Sequence, residues 1–133
     1  MANKSVERFR QLTHDMQVDV LADAVSELND QADELVKVME HVAPRGSTGH
    51  LEHTIRKVQG SKPTIVRIVA GGVLTIRPSV SGKPYDYARA DEFGTVKMKP
   101  RPFFFPTYRL MKKKMISAMK RKLAATIKKR SAE

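Results

Sequence analysis

Residues 85–108 read YDYARADEFGTVKMKPRPFFFPTY, and this stretch decides how the chain is laid out. Glu92-Phe93-Gly94-Thr95 has the form of a helix end, with glycine at the left-handed stop position. Pro100 and Pro102 hold the following segment extended, because each proline fixes its own φ and keeps its predecessor out of the helical region. Pro106 suits the first turn of a new helix. A short helix over 85–93, an extended strand over 97–104 that closes a sheet, and a long final helix are therefore expected. Phe103, Phe104 and Phe105 lie between the last two elements. Side chains alternate sides along an extended segment, so the three rings cannot all face one core. At least one needs a second surface, elsewhere in the fold or on a neighbouring subunit.

Downstream, the final helix is expected from Pro106 to Arg130. Met111, Met115, Met119, Leu123 and Ile127 recur every four residues, a stripe that drifts slowly around the helix. Methionine suits a core stripe or an adaptable contact surface. Lysine and arginine fall in three triplets, Lys112-Lys113-Lys114, Lys120-Arg121-Lys122 and Lys128-Lys129-Arg130. The eight-residue repeat rotates each triplet by about 80°, so the basic groups wrap the helix.

Upstream, Val18, Leu21, Val25, Leu28, Ala32, Leu35, Met39 and Val42 alternate three- and four-residue steps, and Pro44 closes the run. Such a stripe marks one amphipathic helix lying on a sheet or a coiled-coil seam. Residues 1–14 lack the stripe and are expected as a flexible N-terminal tail, with 15–133 forming a single domain. RGSTGH at 45–50 is a polar loop. A short strand is expected at Thr54-Ile55 and Val58, then a Gly60–Pro63 turn and a second strand over 65–69. Gly71-Gly72 suits a tight hairpin leading to a third strand at Val73, Leu74 and Ile76. Pro78, Gly82 and Pro84 mark a further loop carrying Lys83. The fold class expected is α+β, with a long N-terminal helix, a small, mostly antiparallel sheet and a long basic C-terminal helix, both helices packing on the sheet.

The charge is unevenly placed. Residues 1–42 hold four Lys/Arg against nine Asp/Glu, residues 43–108 eleven against four, and residues 109–133 ten against one, within a net charge of +11. An acidic first helix and a basic last helix attract each other within or between subunits, and the excess favours acidic partners. The 133 residues suffice for one core, and the chain has no cysteine, so disulfide and thiolate chemistry are excluded. No apolar run approaches membrane-spanning length and no leader pattern is present, so a soluble protein of the cytoplasm is expected.

Catalytic patterns are missing from the sequence. His50 and His53 flank Glu52, but two histidines fall short of the three or four ligands of a zinc site. Asp91 and Glu92 are adjacent and diverge by about 100° on a helix, so they form no acid–base pair. Gly71-Gly72 lacks the third glycine of a phosphate-binding loop, and no serine has a nucleophile-elbow context. No enzymatic activity, cofactor or metal is expected.

Two sets of residues carry a resemblance. Tyr85, Tyr87, Glu92-Phe93-Gly94-Thr95, Met98, Pro102-Phe103 and Pro106 resemble the signature of tailed-bacteriophage structural proteins. These are the tail-component, neck or tail-completion proteins encoded near the head–tail junction genes. Ala43-Pro44, Thr48-Gly49, His50-Leu51 and Thr54-Ile55 are similar to that family's A-P-x-x-T-G-x-L-x-x-S-I segment. The chain departs from it by an extra residue or two before Thr48, and by His50 where a basic or polar residue is more usual.

The resemblance implies a homo-oligomeric ring at the head–tail junction or the top of the tail. Such a ring links connector or head-closure proteins to tail-tube proteins, around a channel that passes DNA without sequence readout. The implied location is the virion neck, with assembly in the host cytoplasm and no membrane. Candidate interface residues are Tyr85, Tyr87, Phe93, Phe103, Phe104, Phe105 and Tyr108, with Gly94, Thr95 and Pro102 shaping the turn. Candidate docking loops carry Arg45, Thr48, Gly49, His50 and Lys83. The alternative expectation is a non-sequence-specific nucleic-acid-binding protein using the basic helix: Lys112, Lys113, Lys114, Lys120, Arg121, Lys122, Lys128, Lys129 and Arg130.

Overall fold

A computed structural model describes residues 3–45, 50–78 and 82–132. Helix α1 runs Lys4–Val42, and its first free N–H groups are met by Asn3, whose side chain accepts from the Ser5 N–H. A five-residue helix α2, His50–Thr54, leads into strand β1, Arg56–Gln59, which pairs antiparallel with β2, Val66–Val69. A 3-10 turn at Val73–Thr75 precedes β3, Ile76–Pro78, paired antiparallel with β4, Pro84–Asp86. Helix α3, Tyr87–Phe93, follows β4 directly, and α4 spans Phe105–Ser131. The architecture is α+β: two long helices with two separate two-stranded antiparallel sheets between them in sequence.

The core is small and sits at one end of the helix pair. Leu35, Met39 and Ala43 from the end of α1 meet Leu51, Ile55, Ala88, Phe103 and Met111. Away from this cluster the long helices run antiparallel against each other. Lys114 Nζ lies 2.9 Å from Glu34 Oε1, Thr126 donates to Asp23, and Arg130 pairs with Asp19. The acidic and basic helices thus attract each other within one chain. This corrects the expectation that both pack on a sheet: α1 rests on β1 and β2, and α4 lies mainly along α1.

Several expected boundaries move. Residues 4–14, expected as a tail, continue α1 without a break. The last turn of α4 reaches Asp19, and among the described residues the part of α1 before it extends for about a further 20 Å, with Phe9 and Leu12 there 70% and 59% exposed. Thr54 belongs to α2 and not to a strand, since its hydroxyl bonds the Leu51 carbonyl at 2.7 Å. Gly71-Gly72 makes no hairpin, and Val73-Leu74 lie in the 3-10 turn. That corner is held by side chains. Thr54 Oγ1 accepts from the Gly71 N–H at 2.9 Å, and the fully buried Thr75 donates to Asp86 at 2.7 Å. Residues 97–104 form no strand. On α4 the methionine stripe is buried at Met111, half-buried at Met115, Met119 and Leu123, and exposed at Ile127. Each four-residue step turns about 40° beyond a full circle, so the contact line with α1 passes to Thr126 and Arg130.

Candidate functional site

Helix α4 begins without a capping side chain of its own, because its N-cap residue is Phe104. The first N–H groups of a helix need acceptors. Here they come from the neighbouring helix: Glu92 Oε2 accepts from the N–H groups of Phe103 and Phe104 at 2.8 and 2.9 Å, and Oε1 accepts from Phe105 at 2.8 Å. The carboxylate also lies at the positive end of the α4 dipole. Glu92 is 8% exposed, and these three charge-assisted bonds compensate its burial.

Asp91 supplies a second tie. Its carbonyl accepts from the Arg101 N–H at 2.6 Å, and its carboxylate takes the Arg101 guanidinium at 2.7 Å. The two adjacent acids therefore engage different partners on the returning chain, as their angular separation on a helix requires.

Between these ties the backbone reverses. Gly94 closes α3 at φ 76°, its N–H bonded to the Ala90 carbonyl at 2.7 Å. A Cβ at Gly94 would lie 2.9 Å from Pro100 Cδ and 3.0 Å from the Met98 carbonyl oxygen. Thr95 and Met98 exchange backbone bonds at 2.9 and 3.3 Å. Val96 stands fully exposed at the tip. The segment from Asp91 to Phe105 is one buckle joining the end of α3 to the start of α4.

The buckle sorts the phenylalanines. Phe103 is 1% exposed within the core, Phe104 is half-buried, and Phe105 is 42% exposed. Phe93, 63% exposed, has its ring centroid 5.9 Å from that of Phe105. Phe104 meets Phe105 edge-on at 5.1 Å. With Ala70 and Arg89 these rings line a recess of about 180 Å³. Phe103 is thereby removed from the candidate interface: its ring belongs to the chain's own core, packed among Leu35, Met39 and Met111.

The other candidates scatter. Tyr85 and Tyr108 are exposed, and Tyr87 donates its hydroxyl to the Leu74 carbonyl at 3.2 Å beneath the Arg77 guanidinium. Pro102, Thr95 and Lys83 are exposed. Arg45 lies 3.5 Å from Glu52, and His50 Nδ1 is 3.4 Å from Arg77. Thr48 and Gly49 lie outside the described residues. Of the basic helix, Lys114 and Arg130 turn to α1, whereas the remaining six lysines and Arg121 are exposed.

Among the described residues, no group of three or more His, Asp or Glu is placed to hold a metal ion, and no helix is long and apolar enough to cross a membrane. Sequence reasoning missed Glu92 as the cap of α4. The available signal was a helix opening on F-F-F-P, with no Ser, Thr, Asp or Asn to cap it. No protein-family model, curated protein or solved structure matches the chain.

Proposed function

We propose that this chain is a structural subunit of a tailed-phage particle, assembling as a ring at the head–tail junction or the top of the tail. One observation carries the reading. The residues resembling the family signature, Glu92-Phe93-Gly94-Thr95 and Pro102-Phe103 with Pro106, are the parts of a single buckle. That buckle presents Phe93 and Phe105 to solvent on a backbone fixed by buried hydrogen bonds. A rigid, exposed aromatic pair beside a recess suits a contact with another protein, because aromatic anchors carry much of the energy of such interfaces. The ring joins connector or head-closure proteins to the tail tube, and the aromatic pair is one of its contacts.

Light scattering and electron microscopy of the purified chain, with and without short duplex DNA, test this. The expected result is a closed particle of uniform mass that forms without DNA and keeps the same number of subunits when DNA is added. A monomer at every concentration, or one that gains mass only when DNA is added, would overturn the ring.

A further inference from the structure

We infer that the outward face of α4 is a contact for the phosphate backbone of duplex DNA, made without reference to base sequence. The inference takes from the ring reading only that DNA passes beside the subunit.

Helix α4 has one side occupied. Thr107, Met111 and Thr126 are buried, and Arg130 and Lys114 reach the acids of α1. At about 100° per residue, Lys113, Ser117, Lys120, Arg121, Ala124 and Lys128 fall within a strip about 100° wide on the opposite side. All six are exposed. None of the four cations has an ion-pair partner among the described residues, and α4 contains no Asp or Glu. The triplets wrap the helix when read from sequence alone. With α1 on one side, the four cations of this strip form an outward line of positive charge about 22 Å long, and Lys112, Lys122 and Lys129 are exposed to either side of it.

The composition of the strip selects the partner. Protein interfaces are built around a buried apolar centre, and between Lys113 and Lys128 the strip holds only cations, a serine and an alanine. The two small residues let a backbone approach closely. Duplex DNA carries about one negative charge per 1.7 Å of axis, and its binding is driven by counterion release, which needs no apolar contact. Flexible lysines on phosphates read no sequence. Two acids of α1, Asp19 and Glu34, are engaged on the far side by Arg130 and Lys114.

The test is fluorescence anisotropy of a labelled 20-base-pair duplex against salt, for the full chain and two variants. The first replaces Lys113, Lys120, Arg121 and Lys128 with Gln. The second removes the same charge elsewhere, at the exposed Lys62, Arg67, Lys97 and Lys99. At about 0.9 per phosphate contact, the strip variant should lower the slope of log K against log salt by about 3.6, and the control by less than about 1. Equal losses in the two variants would show that only net charge matters and would overturn the proposal. Absence of binding by the unmodified chain at low salt would do the same, as would a tenfold preference between two unrelated duplexes. Light scattering on the same samples separates this inference from the ring. A ring without DNA affinity overturns the DNA contact alone, and DNA binding by a monomer overturns the ring alone.

Discussion

The Glu92 carboxylate accepts the backbone N–H of Phe105 at 2.8 Å, so one helix is capped by a side chain from another, thirteen residues away in sequence. Capping within a helix fixes only that helix. This bond also fixes the angle between α3 and α4, and with it the position of both exposed rings.

Removing that carboxylate should therefore be costly for a single polar residue. Glu92→Ala leaves three N–H groups without their acceptor and should destabilise by about 2–4 kcal/mol. Glu92→Gln keeps one acceptor oxygen and should cost about half as much. Urea titrations of the two variants measure this, and a loss below about 0.5 kcal/mol for Glu92→Ala would mean that the cap contributes little.

Gly94 and Gly82 both have positive φ, 76° and 83°, but only Gly94 is crowded by its neighbours. Alanine at Gly94 meets Pro100 and the Met98 carbonyl as well as the unfavourable dihedral, and should cost about 2–3 kcal/mol. Gly82→Ala faces open space and should cost about 1 kcal/mol. Thermal unfolding of the pair checks the order; equal losses would point to the dihedral alone.

The phenylalanines should divide by readout. Phe103→Ala empties the core and should lose about 3–5 kcal/mol. Phe93→Ser removes a ring that is mostly in solvent, so the melting temperature should stay within a few degrees while particle assembly weakens. Calorimetry and sedimentation of both variants distinguish the roles, and an unchanged assembly state with Phe93→Ser would remove the aromatic pair from the interface.

The ion pairs between the long helices should matter less than their number suggests. Glu34 and Lys114 are 43% and 66% exposed, and pairs in such surroundings contribute about 0–1 kcal/mol each. A double-mutant cycle over Glu34→Gln and Lys114→Gln should give a coupling below about 1 kcal/mol. A much larger value would place the pair among buried, cooperative networks.

The long helices were legible because an amphipathic stripe repeats over many turns, and Pro44 and Pro106 mark their inner ends. The start of α1 was not, because Val6, Phe9 and Leu12 follow a different line from the stripe that begins at Val18. The 3-10 turn at Val73–Thr75 was hidden for another reason. Its residues look like a strand, and its shape depends on Thr75 bonding Asp86 eleven residues later. For the candidate site, the glycine stop and the proline-held return were readable from residue type. Which phenylalanine would be buried was not, because Phe103 is selected by packing against Leu35, Met39 and Met111.

The antiparallel pairing of α1 with α4 also sets an order of events during synthesis. Asp19 and Arg130 lie 111 residues apart in the chain, yet they end side by side. Helix α1 is made before α4 and must wait for it, and the core stays open until Phe103 and Met111 have left the ribosome. Contacts of such sequence separation slow folding. In that interval the nascent chain carries an uncovered apolar stripe between Val25 and Met39, and the slow step of folding leaves that stripe in water the longest.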